Sequence, residues 1–206
     1  YPQEWMPNAK SDKAQWVKKN LGIPSGSVHL VARPDKQKFA VNEKGQPNVL
    51  IDDHAKNIRE WRAKGGVGIV HRSASDTISK LKKELDKIFS LYIRLLKATP
   101  QGMTTCFTCG TQKHYKKMHA GHFMSRKHLS TRWNEQNVQV QCPKCNLFGQ
   151  GEQYTFGKLL DVRIDEGTAE NLEQLARTTT KIMRYEYEDM IKEYKKKLKD
   201  VEANLS

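Results

Sequence analysis

Cys106-Phe-Thr-Cys109 and Cys142-Pro-Lys-Cys145 hold all four cysteines of the 206-residue chain, and the segment between them decides how the rest is read. Each pair has the spacing at which two thiolates from one tight turn take half of a tetrahedral zinc site. The alternative is two disulfides or four buried thiols. Four cysteines in 206 residues fall far short of a secreted disulfide scaffold, and no apolar signal segment opens the chain. The expectation is one structural Zn2+ held by Cys106, Cys109, Cys142 and Cys145. A site closed by four thiolates keeps no position for water, so any chemistry must lie beside it.

Between the pairs lie His114, His119, His122 and His128, four of the seven histidines. The same stretch carries Lys113, Lys116, Lys117, Arg126, Lys127 and Arg132 and, from Thr111 to Trp133, no acid. The formal net charge of +13 favours a polyanionic partner. Positive charge is spread through the chain, but only this stretch is basic without relief. If all six cations met DNA phosphates, affinity would fall with salt at a log–log slope of about −5. Such contacts fix position and carry no sequence information. Tyr115 and Trp133 are either stacking platforms for an unpaired base or core residues. No apolar run approaches the ~18 residues a membrane span needs, so no membrane partner is expected.

The first part reads as α/β. Ser11 to Asn20 has helical spacing with Trp16 and Val17 on one face, Gly22 to Gly26 is a loop, and Val28 to Ala32 suits a buried strand. Asn48-Val-Leu-Ile51 is a second strand ending in Asp52-Asp53, a helix runs from His54 to Ala63, and Val67-Gly-Ile-Val70 is a third strand. Strands alternating with helices at this spacing indicate a parallel sheet, with ligands at the carboxyl ends of its strands. Residues 1–72 resemble the haloacid-dehalogenase (HAD) phosphatases, its nucleotidase members in particular. The resemblance implies that Asp52 and Asp53 hold Mg2+ and that Lys36 binds phosphate. No Asp-x-Asp nucleophile motif occurs in the chain, so this segment alone is not expected to be a phosphatase. The plain reading of Asp52 and Asp53 is a strand-end turn that caps the next helix. Because the first residue is Tyr1, further sequence is expected upstream.

Asp76 to Lys97 is a long helix with Ile78, Leu81, Leu85, Ile88, Phe89, Tyr92 and Leu96 on one stripe. Ala169 to Asp200 reads as a last helix of about thirty residues, started by Gly167-Thr168. Its apolar face would be covered by the 76–97 helix or by a second subunit in a homodimer. Val138 and Val140 alternate with glutamines as a half-buried strand, and Pro143 suits the first turn of a following helix.

The order is knuckle, His-bearing strand, basic loop, Asn-bearing strand, knuckle and helix, the plan of a ββα-metal (HNH) endonuclease tied by zinc. From about Leu85 onward the chain resembles the phage NinG (Rap) recombination proteins, structure-specific endonucleases of branched DNA. The residues that carry this are Leu85 to Arg94, Cys106-x-x-Cys-Gly110, Ala120-Gly-His-Phe123, Arg132-Trp-Asn-Glu-Gln-Asn137, Gln141-Cys-x-x-Cys-Asn146 and Tyr154 to Leu160. Phosphodiester hydrolysis needs a base for the attacking water, and the imidazole of His122 suits that role near neutral pH. Asn137 matches the middle residue of the HNH triad, which orients the base or its loop; it would otherwise close a turn. A catalytic Mg2+ or Mn2+ is expected, with Asn146 and His119 as candidate ligands. Structural roles are the alternative for both, and His114 and His128 are expected at the surface near DNA. Where the family has Ser-Gly-Asn after the second knuckle, this chain has Gln150-Gly-Glu152, so Glu152 is either a ligand or the mark of a weakened site.

The fold class expected is thus α+β: a partial HAD-like α/β segment (1–75), a connecting helix (76–100) and a zinc-stapled ββα-metal domain with a long C-terminal helix (101–206). The function expected is a structure-specific DNA endonuclease. A non-catalytic zinc-stabilised DNA- or RNA-binding module and a HAD-type phosphatase are the alternatives.

Overall fold

Val49–Asp52 (β1) and Val67–Val70 (β2) pair in parallel in the computed structural model, with helix α2 (Ala55–Ala63) connecting them. A parallel pair needs such a crossover, and the short aliphatic strands meet one face of α2 through Ile58 and Trp61, both buried. The Trp61 indole N–H donates to the Asn48 carbonyl at 3.1 Å and closes the corner. The structure describes residues 9–21 and 30–205. The chain divides into two compact units, Tyr1–Arg72 and Ser73–Ser206.

In the first unit, helix α1 (Ala9–Leu21) spans the segment expected to be helical. Its Trp16 is 57% exposed, so it does not form an inward face with Val17. Of the strand expected over residues 28–32, 28–29 lie outside the described residues, as does the expected loop 22–26, and 30–32 are irregular. They lead into a 3-10 helix, Arg33–Phe39, whose Pro34 lacks the N–H that a strand ladder would need.

The second unit starts with α3 (Ala74–Leu95), capped by Ser73, whose hydroxyl accepts from Asp76 N at 3.2 Å. Its stripe of Leu81, Leu85, Ile88, Phe89 and Tyr92 is buried, while Leu96 lies beyond the last turn and is exposed. Two antiparallel hairpins follow, β3 (Met103–Thr105) with β4 (Gln112–His114) and β5 (His119–His122) with β6 (Val138–Gln141). The first cysteine pair lies in the turn of the first hairpin, and Phe107 N donates to Val140 O at 2.7 Å, joining it to β6. The chain runs from Gln141 into the second pair, then one π-helical turn (Lys144–Phe148) and α4 (Gln153–Arg163). Phe107, Phe123, Phe156, Leu160 and Leu172 make a core beneath these elements.

The long final helix is two helices, α5 (Thr168–Ala176) and α6 (Arg184–Leu205). Between them stand Thr178, Thr179 and Thr180, three β-branched residues that lose rotamer freedom in a helix. The Thr178 hydroxyl donates to Leu175 O at 2.7 Å, and the Glu186 carboxylate takes Met183 N at 2.6 Å to begin α6 afresh. The single helix expected from Ala169 to Asp200 is therefore interrupted. α3 covers the apolar face of α6 within the same chain, with Phe89 edge-on to Tyr194 at 4.8 Å between ring centres. Among the described residues no helix is long and apolar enough to cross a membrane.

Candidate metal centre and histidine site

The two knuckles bring the sulfurs of Cys106, Cys109, Cys142 and Cys145 within 4.8 Å of one another. None is in a disulfide, and the Cys109 and Cys142 sulfurs are 3.7 Å apart. A tetrahedral zinc with Zn–S bonds of about 2.3 Å separates its sulfurs by about 3.8 Å, so the cluster fits that ion. Burial pushes the Cys106 thiol up, but N–H donors from the Cys109, Cys142 and Thr108 backbone and the Thr108 hydroxyl outweigh it and bring the pKa down. The hydrogen bond with Thr111 leads in holding Cys109 down at about 6, whereas burial pushes Cys145 up to about 12. Four thiols in so small a space cannot all ionise unless a cation neutralises them.

Beside this cluster β5 carries two of the candidate histidines. His119 lies opposite Gln141 and His122 opposite Val138, and residues three apart leave opposite faces of a strand. The His119 Nδ1 is 3.0 Å from the side-chain amide nitrogen of Asn146 in the π turn, so the structure brings these two together. His122 meets a different set: its Nε2 lies 3.0 Å from the Arg132 carbonyl. Burial, then the charge of Arg126, lowers its pKa to about 4. Gly121, between them, has no room for a side chain because a Cβ there would run into the buried Gln141 amide.

Asn137 is fully buried and ties the loop between β5 and β6 to itself. Its Oδ1 accepts from Met124 N at 2.6 Å, and its Nδ2 donates to Met124 O at 3.0 Å and Thr131 O at 2.9 Å. The next carbonyl, that of Arg132, is the one that faces His122. Asn137 thus binds the loop next to the histidine rather than the ring.

The cations divide. Lys113, Lys116 and Lys117, on and after β4, and Arg126 and Lys127, in the loop, are exposed. Arg132, expected among the phosphate contacts, is instead paired: its Nε and Nη2 donate to the Asp86 carboxylate at 3.0 and 2.6 Å, and its Nη1 to Arg126 O at 2.8 Å. Trp133 is core, edge-on to Tyr187, with its indole N–H on Asp86 at 3.0 Å. Asp86 stands 46 residues before Arg132 and has no local sequence signal that would have found it. Half-buried His114 packs on Tyr115 at 4.6 Å between rings, and half-buried His128 lies in the basic loop. Glu152 sits in a left-handed conformation (φ 51°) before α4, where its carboxylate folds over Gly149.

In the first unit, Asp52 is a saturated group rather than an open ligand. It accepts from Lys36 Nζ at 2.7 Å, from His54 N at 2.8 Å and from Asn57 Nδ2 at 3.0 and 3.1 Å. The bond to His54 N makes it the strand-end turn that starts α2, while Asp53 is exposed.

Four thiols placed to hold a metal ion thus lie beside a His-bearing hairpin in a mixed α/β chain of net charge +13. The chain belongs to the NinG family: the description "Bacteriophage Lambda NinG protein" matches residues 36–204. That span begins within the first unit and so includes Lys36, Asp52 and Asp53. Neither a curated protein nor a solved structure matches the chain significantly. Family membership and the cysteine cluster together support a DNA-binding or nuclease role.

Proposed function

We propose that the unit from Ser73 onward is a metal-dependent endonuclease of branched DNA in phage recombination, with His122 as general base. The observation that carries this reading is the contact between His122 Nε2 and the Arg132 carbonyl at 3.0 Å. A carbonyl only accepts, so Nε2 holds the proton in the neutral ring, while the Ala120 backbone is a second acceptor that favours the charged ring. With its pKa near 4, the ring is neutral at physiological pH and so free to accept a proton, but burial makes it a weaker base than the ordinary imidazole that the sequence suggested. As Nδ1 takes a proton from water, the Arg132 carbonyl stabilises the imidazolium that forms. Asn137 keeps that carbonyl in place by holding Thr131 and Met124. His119 and Asn146 would hold the Mg2+ or Mn2+, which neutralises phosphate charge when bound. The thiols would hold a structural Zn2+, and Lys113, Lys116, Lys117, Arg126 and Lys127 would take the DNA backbone.

The branched substrate comes from the family. Nicking of branched against linear DNA with Mg2+ or Mn2+, for the wild type and His122→Ala, tests the reading. The variant should bind and fail to cut. The second reading, a non-catalytic zinc-stabilised DNA- or RNA-binding module, is favoured by the opposite faces that His119 and His122 occupy on β5. It predicts binding by the wild type without cleavage under either metal.

A further inference from the structure

We propose that Asp86, on α3, is a positioning residue for His122 and acts through Arg132. The inference rests on the reading of His122 as the base. Asp86 takes both Nε and Nη2 of Arg132, a two-point grip that fixes the plane of the guanidinium as well as its distance. It also takes the Trp133 indole N–H, so one carboxylate holds two consecutive residues of the loop. Arg132 Nη1 reaches across to the Arg126 carbonyl and draws the two ends of the basic loop together. The backbone carbonyl of this same Arg132 faces His122 Nε2. One hydrogen-bonded path therefore leads from the rigid helix α3, through a side chain and its own backbone, to the imidazole.

Asn137 anchors the preceding carbonyl, that of Thr131, from the β6 side. The two anchors act on neighbouring peptide groups from different elements, so neither alone fixes the direction of the Arg132 carbonyl. Asp86 selects the Nε2–H tautomer of His122 and aims Nδ1. The Asp86–Arg132 pair, with side chains only 25% and 20% exposed, is shielded from the screening that makes surface pairs weak. It also withdraws Arg132 from the set of phosphate contacts.

The test uses the zinc-loaded full chain and Asp86→Asn, with Arg132→Lys as a second variant that keeps the charge and loses the fork. Imidazole 15N spectra report the His122 tautomer without reference to activity. The wild type should show Nε2–H alone, and both variants a mixture of tautomers. On branched DNA with Mg2+, kcat of each variant should fall about 100-fold, within the range a positioned base contributes, with DNA affinity unchanged. Asp86→Glu should recover part of the loss. Retention of the pure Nε2–H tautomer in both variants overturns the proposal, whatever the rates. Absence of cleavage by the wild type overturns the nuclease reading instead, and the spectra still decide whether Asp86 orients the ring.

Discussion

Asn137 and Met124 form a reciprocal pair: the Met124 N–H donates to Asn137 Oδ1 at 2.6 Å, and Asn137 Nδ2 donates back to the Met124 carbonyl at 3.0 Å. A side-chain amide thus substitutes for a strand neighbour where the chain leaves β5, and its second N–H holds Thr131 O. Asn137→Ala should strand three backbone groups. At about 1–3 kcal/mol for each buried group left unsatisfied, less whatever water recovers, the loss should be about 3–5 kcal/mol. Chemical denaturation of the full chain measures it, and a loss below about 1 kcal/mol would mean that the loop holds itself.

The thiol cluster should carry one equivalent of zinc, with four sulfurs at about 2.3 Å in X-ray absorption spectra. Cys142→Ser should lower metal content and melting temperature together, because the clamp ties the two hairpins at the place where Phe107 N meets Val140 O. Metal binding should also weaken as pH falls, since protons compete for the sulfurs. Full occupancy of Cys142→Ser would show that the four sulfurs do not form one site.

His122 sets an acid limit on stability. Its pKa in the folded chain, about 4, is below the ordinary value of 6.5, so the unfolded chain binds more protons between these values. The contribution is complete above about pH 6.5 and is lost as pH falls through about 4. Replacing His122 with Gln should flatten the stability–pH curve in that window. An NMR titration placing the His122 midpoint at 6 or above would contradict the burial that causes the shift.

Salt dependence separates the exposed cations from the paired one. Contacts from Lys113, Lys116, Lys117, Arg126 and Lys127 predict a log–log slope of about −4.5 for duplex binding. Changing Lys113, Lys116 and Lys117 to Ala should bring it to about −2. Arg132→Gln should leave the slope unchanged, because Asp86 already takes the guanidinium. A drop of about 1 with that substitution would return Arg132 to the DNA.

What the sequence disclosed and what it withheld follow from the range of the interactions. The Cys-x-x-Cys spacings and the Val138/Val140 alternation are local, and they foretell the knuckles and β6. The β1–α2–β2 crossover is legible for the same reason. The partnership of Arg132 with Asp86 spans 46 residues, so the arginine reads as one more cation in a basic run. The opposite facing of His119 and His122 was implicit in a three-residue separation once their segment is a strand. The break before α6 was visible as three threonines, outweighed by the apolar residues on either side. Asp52 illustrates the opposite case: the motif implies a metal ligand, and the folded environment supplies Lys36, Asn57 and a backbone N–H instead.

Cleavage of branched DNA by the zinc-loaded full chain, wild type against His122→Ala with Mg2+, is the most direct measurement. Loss of a positioned base predicts a fall of about 100- to 10,000-fold in rate with DNA affinity unchanged. Cutting by His122→Ala at the wild-type rate would remove the imidazole from the chemistry and contradict the account.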